Sequence, residues 1–179
     1  MLPVTKPASF VLLAIAVISL GACSLFQPQP TVPPKPAYTP PTYDLVASIR
    51  AAGAREKSVI DVNPLRDAGV ADLQDAAKND EQAGRYADAA SKLDQALKLS
   101  PNSPDLLQDR AEIAVRMKNY PLAEKLAHQS WSLGPKLGPL CARNWQTVVE
   151  MRLQQNDQAG AETARKWVQQ CHKPGQPRY

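Results

Sequence analysis

Aromatic residues make up only 6% of this 179-residue chain, and glycine and histidine are scarce, at 8 and 2 residues. So little aromatic bulk supports at most one modest domain, and 17 prolines keep part of the chain outside any core. The two histidines, His128 and His172, stand in a helical pattern and a tail, away from any nucleophile that either could serve as base. There is no glycine-rich phosphate loop, no metal-ligand spacing and no convincing carboxylate pair. An enzyme is therefore not expected, and neither a catalytic residue, a metal nor a cofactor is assigned. The 21 cationic side chains exceed the 17 anionic ones by four, but without a basic tract that would grip a phosphate backbone, which argues against nucleic acid. Long apolar runs are missing too: the one from Phe10 to Leu20 is about half the ~20 residues needed to span a bilayer.

That short run belongs to residues 1–22, which read as a signal peptide with Lys6 as its single early cation. The string Leu20-Gly21-Ala22-Cys23 resembles the lipobox of bacterial lipoproteins. The resemblance implies that Cys23 becomes a lipidated N-terminus, the alternative being a signal cut elsewhere with Cys23 an ordinary thiol. Several acyl chains on one residue would anchor firmly to a membrane. Ser24 next to it, where aspartate would imply inner-membrane retention, implies the outer membrane, with the remainder of the chain in the periplasm.

Residues 23–66 read as anchor and proline-rich linker. Seven of the fourteen positions from 28 to 41 are proline, which removes amide donors and fixes φ, so polyproline II is the expected state. From Ser24 to Arg66 the chain could extend over ~140–155 Å. Leu45, Ile49 and Ala52 give positions 44–57 some helical character that Gly53 weakens, so this stretch is expected to fold only on contact. Val59, Ile60 and Val62 could lie extended against the folded part.

From residue 67 to 174 the apolar spacing turns to 3.6 and an all-α domain is expected. It repeats. Counting from Val70, Ala77 falls at position 8, Gly84 at 15, Tyr86 at 17, Ala89 at 20, Leu93 at 24, Ala96 at 27 and Pro101 at 32. Counting from Pro104, 34 residues on, Leu107 falls at position 4, Ala111 at 8, Tyr120 at 17, Ala123 at 20, Ala127 at 24, Ser130 at 27 and Pro135 at 32. This pattern resembles the tetratricopeptide repeat, because small residues are needed at 8, 20 and 27 where paired helices touch. A third, degenerate unit starts at Ala142, with Trp145 at 4, Val149 at 8, Ala161 at 20 and Val168 at 27, but Gln158 in place of the aromatic; 136–139 read as an insertion. Units of about 70–103, 104–137 and 142–175 thus make a solenoid of three helical hairpins. The spacing predicts helices over 68–83, 87–99, 104–118, 121–133, 140–155 and 158–171, and 175–179 are a tail.

Nothing in the tail resembles a capping helix, so the last hairpin needs another support. Cys141 and Cys171 fall at the same end of that hairpin, where a disulfide in the periplasm is expected over two free thiols; with His172 they are too few for a four-ligand metal site. In tetratricopeptide repeats the inner face carries partners. The resemblance places Gln74, Lys78 and Gln82, then Gln108, Glu112 and Arg116, then Arg143, Gln146 and Glu150 on that face as partner-binding candidates. The lysine, asparagine and arginine clamp of chaperone-binding members is not matched, with Gln74 and Asp109 at two of its positions, so a folded domain or internal segment is the expected ligand. Trp131 and Trp167 are core wedges or exposed anchors.

Lipobox, proline-rich tether and three repeats together, with Asn63-Pro64-Leu65-Arg66-Asp67 before the first helix, resemble the outer-membrane lipoprotein activators of class A penicillin-binding proteins, of the LpoP type. The resemblance implies a non-catalytic module that stimulates a bifunctional peptidoglycan synthase by direct contact. The alternative is a pilotin-like lipoprotein that assists secretin assembly for type IV pili or secretion.

Overall fold

Small residues at the repeat's contact positions let the helices pair closely, and the computed structural model shows where. It describes residues 42–56 and 67–172, so the signal peptide, Cys23, the proline-rich stretch, positions 58–65 and the tail lie outside the described residues. Among the described residues there are seven α-helices and no strand: α1 Leu45–Arg55, α2 Ala68–Gln82, α3 Tyr86–Leu99, α4 Pro104–Arg116, α5 Tyr120–Leu133, α6 Pro139–Gln154 and α7 Gln158–Gln170. The pairs α2/α3, α4/α5 and α6/α7 are the three expected hairpins, each packed on the next. Ala77, Ala89, Ala96, Ala111, Ala123, Val149 and Ala161 are all buried. Ser130, the one hydroxyl at such a position, is buried with its Oγ donating to the carbonyl of Pro104 at 2.5 Å.

The turn inside each hairpin has the same construction. Position 15 adopts a left-handed conformation in all three: Gly84 at φ +75°, Lys118 at +59° and Asn156 at +56°. The next residue donates back across the turn, Arg85 to Asp80, Asn119 to Ala114 and Asp157 to Arg152, at 2.8–2.9 Å. These bonds satisfy carbonyls that the helix end leaves open, which is why each first helix stops there. Asn119 and Asp157 then cap the following helices, accepting from the amides of Leu122 and Gly160.

The last hairpin is tied at its open end. Cys141 and Cys171 are joined by a disulfide with Cα atoms 5.6 Å apart, and the Gly138 amide donates to the Cys171 carbonyl at 2.8 Å. All three tryptophans gather beside it: Trp145 stacks on Trp167 at 5.1 Å, and Trp131 meets Trp145 edge-on at 5.3 Å. Trp167 remains 39% exposed, so it is a half-covered edge of this cluster and not a wedge inside it. The insertion folds back over the cluster, with the Lys136 ammonium 4.3 Å from the Trp131 ring centre.

One boundary differs from the sequence reading. The folded part does not begin at 67, because α1 lies within the stretch assigned to the linker. Asp44 caps it by accepting from the Ala47 amide at 3.0 Å, and Val46, Ile49, Ala52 and Gly53 form one buried stripe. Gly53, which weakens an isolated helix, is required here by close approach: a Cβ would sit 2.8 Å from Cγ of Arg143 and 3.0 Å from the Pro139 carbonyl. Contact with α6 offsets the intrinsic cost.

Candidate partner-binding groove

The first helices of the hairpins, α2, α4 and α6, turn their polar residues to one inner face, and α1 lies along that face. It rests mainly on α6 and less on α4. It runs antiparallel to α6, since Ser48 meets Glu150 late in α6 and Gly53 meets Pro139 and Arg143 at its start. Val46 and Ile49 join Val115, Ala123 and Met151 in one apolar cluster. At the far end, Nδ1 of His172 is 3.0 Å from Oε2 of Glu56.

Two carboxylates organise the polar part. Glu112 has no exposed surface, and its oxygens accept from Nε of Arg50 at 2.7 Å, Nε of Arg143 at 2.8 Å and Nε2 of Gln108 at 3.0 Å. Glu150, 2% exposed, accepts from the Tyr43 hydroxyl and the Ser48 hydroxyl, each at 2.7 Å, and from Nε2 of Gln146 at 2.8 Å. A buried carboxylate is tolerable only when its lone pairs are occupied in this way. Around them, Arg50 reaches Glu81 at 2.8 Å, Arg116 reaches Asp44 at 2.7 Å and Arg143 reaches Asp109 at 2.7 Å. Burial alone would pull the Arg143 guanidinium down, but the charges of Glu112 and Asp109 outweigh it and hold its pKa above the arginine range. Asp44 is likewise held below its usual value: burial acts upward, and Arg116 with the amide of Ala47 acts more strongly downward.

The nine partner-binding candidates are therefore not one open face. Gln108, Glu112 and Glu150 are buried within the chain's own contacts, under α1. Arg116, Arg143 and Gln146 are engaged in the network around α1. Gln74 donates to Asp109 at 2.6 Å, so the two residues that stand where a carboxylate clamp would need its polar hooks bind each other. Lys78 and Gln82 remain exposed. They line an open stretch of the groove, about 780 Å³, where α2 parts from α4 beside α1. Tyr43, Asp44, Ser48 and Arg50 belong to this site and were not assigned to it from sequence; the 46/49/52 apolar spacing behind Asp44 is the signal that could have shown them.

Residues 81–136 match the family model described as tetratricopeptide repeat. The hairpins share the fold of that repeat. Among solved structures, this chain is similar to the globular C-terminal domain of LpoP from P. aeruginosa, with 26% identity and a TM-score of 0.56 over 59% of this chain and 99% of that one. The first tetratricopeptide domain of Spaghetti (RPAP3), solved with an HSP90 peptide bound, shares the fold at 16% identity and a TM-score of 0.53, over 60% of this chain and 84% of that one. No curated protein sequence matches the chain. Tetratricopeptide domains are protein-interaction modules, and protein partners are the kind of ligand this one is built for.

Proposed function

We propose that this chain is a non-catalytic periplasmic module that stimulates a class A penicillin-binding protein, a bifunctional peptidoglycan synthase, by direct contact. The observation that carries the reading is the likeness to the LpoP globular domain, which spans nearly all of that domain at 26% identity. The sequence plan supports it: a lipobox ending at Cys23 and a proline-rich tether stand ahead of the repeats, as in the LpoP-type lipoprotein activators that the sequence resembles. In this reading the lipid on Cys23 holds the chain at the outer membrane, and the tether lets the domain reach a synthase at the inner membrane. The surface available for contact includes Lys78 and Gln82. The chain contributes binding energy only; the glycosyl and peptidyl transfers belong to the synthase.

The test uses the purified chain from Ser24 onward with a purified class A synthase and its lipid-linked substrate. Faster glycan polymerisation on adding the chain is the expected result. An unchanged rate, with no co-sedimentation of the two proteins, sinks the proposal.

A further inference from the structure

A face that stays buried throughout a protein's life is normally apolar, because a buried charge is tolerated only with all its partners in place. The face under α1 is not of that kind. Gln108, Glu112, Thr147 and Glu150, all buried, form its floor. α1 covers them with only three buried side chains, Val46, Ile49 and Ala52, plus Gly53. Its remaining hold is polar, through Tyr43, Asp44, Ser48, Arg50 and Glu56. Water or another chain could take over each of these bonds. The helices of the repeats differ, being joined through alanine- and leucine-lined cores.

We propose that the inner groove of α4 and α6 is a helix-binding site, that α1 is its tethered ligand, and that the occupant it keeps out is an arginine-bearing amphipathic helix of a partner protein. The proposal rests on the reading of the domain as a protein-contact module. α1 defines the recognition chemistry. The groove presents Glu81, Glu112, Glu150 and Arg116 toward the segment 43–55, which answers with the Arg50 guanidinium, the Tyr43 and Ser48 hydroxyls and the Asp44 carboxylate. A competing helix must supply an arginine for Glu112 and Glu81. One turn ahead of it must stand a β-branched residue in the place of Val46, with a second in the place of Ile49. A small residue must come where Gly53 meets Arg143. Charge complementarity selects an arginine over an acidic residue at this one place, since Glu112, with no exposed surface in the closed groove, takes a partner for its Oε2 from the occupant. The open stretch bearing Lys78 and Gln82 lies directly beside α1 and lets the incoming chain touch the groove before α1 leaves. Because α1 is covalently joined, its effective concentration is on the order of millimolar, and a partner helix must outcompete that. Weakening α1 should therefore raise apparent affinity for any external helix by the factor by which the open state is enriched.

The probe is a fluorescein-labelled peptide with the sequence of residues 42–56, and a second peptide carrying R50E. Both are titrated with the chain from Ser24 to Tyr179, as wild type and as the Arg50→Glu variant, whose carboxylate faces Glu81 and Glu112. The wild-type peptide is expected to bind the variant at least ~10-fold more tightly than the wild-type chain, and the R50E peptide to bind neither. Equal binding to both chains, or none to a variant that keeps its helical circular dichroism, overturns the proposal. Should Arg50→Glu unfold the repeats, Ser48→Ala carries the comparison: peptide affinity above wild type supports the site, and unchanged affinity rejects it. Sedimentation of the wild-type chain is expected to show monomer; a dimer dissolved by the peptide would make a second copy the occupant and overturn the choice of partner. No synthase is present, so failure here leaves the activator reading standing, and failure to stimulate a synthase leaves the groove result standing.

Discussion

Nε of Arg50 lies 2.7 Å from Oε2 of Glu112, joining a half-exposed side chain of α1 to a carboxylate with no exposed surface, across 62 residues of sequence. The guanidinium of Arg143 holds the other oxygen of the same carboxylate.

The two arginines should therefore differ in their effect on stability. Arg50→Ala removes one partner and lets water reach the site, so a loss of about 1–2 kcal/mol is expected. Arg143→Ala strips both Glu112 and Asp109 of a largely buried partner and should cost about 3–5 kcal/mol. Urea denaturation followed by circular dichroism measures both; equal losses would contradict the assigned geometry.

At Gly84 a Cβ would meet nothing within 4 Å, so Gly84→Ala isolates the backbone term of a residue at φ +75°. The expected loss is about 1–2 kcal/mol. Lys118→Asn, at the equivalent turn, should be neutral or slightly stabilising, because asparagine accepts the left-handed region more readily. A neutral Gly84→Ala variant would mean that the turn relaxes.

Reducing the disulfide reopens a loop whose ends are 30 residues apart, worth ~3–4 kcal/mol on the chain-entropy account. Unreduced, denatured chain from Ser24 onward should contain no free thiol. Addition of reductant should lower the urea midpoint and change tryptophan emission together, since Trp131 and Trp145 pack against the bridge. A midpoint insensitive to reductant would show that the tryptophans alone hold the hairpin.

Asp80 is held below its usual 3.8, first by the hydrogen bond from Lys92 and then by that from Arg85. A carboxylate with a lowered folded pKa contributes fully above its unfolded value and loses that contribution as the pH falls through the folded one. Asp80→Asn should accordingly be less stable than wild type at neutral pH, with the difference shrinking below about pH 4. A gap that stays constant into strong acid would rule out the ion pairs as its source.

Deleting positions 27–41 removes fifteen residues that include the proline-rich run, up to ~50–54 Å of fully extended chain, without touching Tyr43 or α1. In cells the activator reading expects loss of function and rescue by a glycine-serine spacer of equal length. Normal function of the shortened protein would remove the need to bridge two membranes.

The repeat helices were legible because their signals are local. Ser103 ahead of Pro104, Pro121, and Gly84 mark starts and stops within a turn, and the predicted spans fall within two residues of those observed. α1 was half legible. Its apolar spacing was visible, but Gly53 argued against it, and the reason for Gly53 is a neighbour about ninety residues away in sequence. Closure of the inner face was not legible at all. Glu112 and Glu150 have the spacing of solvated groove residues, and nothing local announces that Arg50, Ser48 and Tyr43 close over them.

The left-handed residue shared by Gly84, Lys118 and Asn156 makes the bend an interchangeable part. Hairpins built on one hinge can be duplicated, exchanged or added without redesigning the joint, because the carbonyls it satisfies belong to the backbone and not to any side chain. Side chains around it are then free to diverge, as they have in the last unit, where Gln158 stands in for the aromatic and the bend is kept. In a lineage that has lost its sequence signature, conserved curvature of the main chain would still count the repeats.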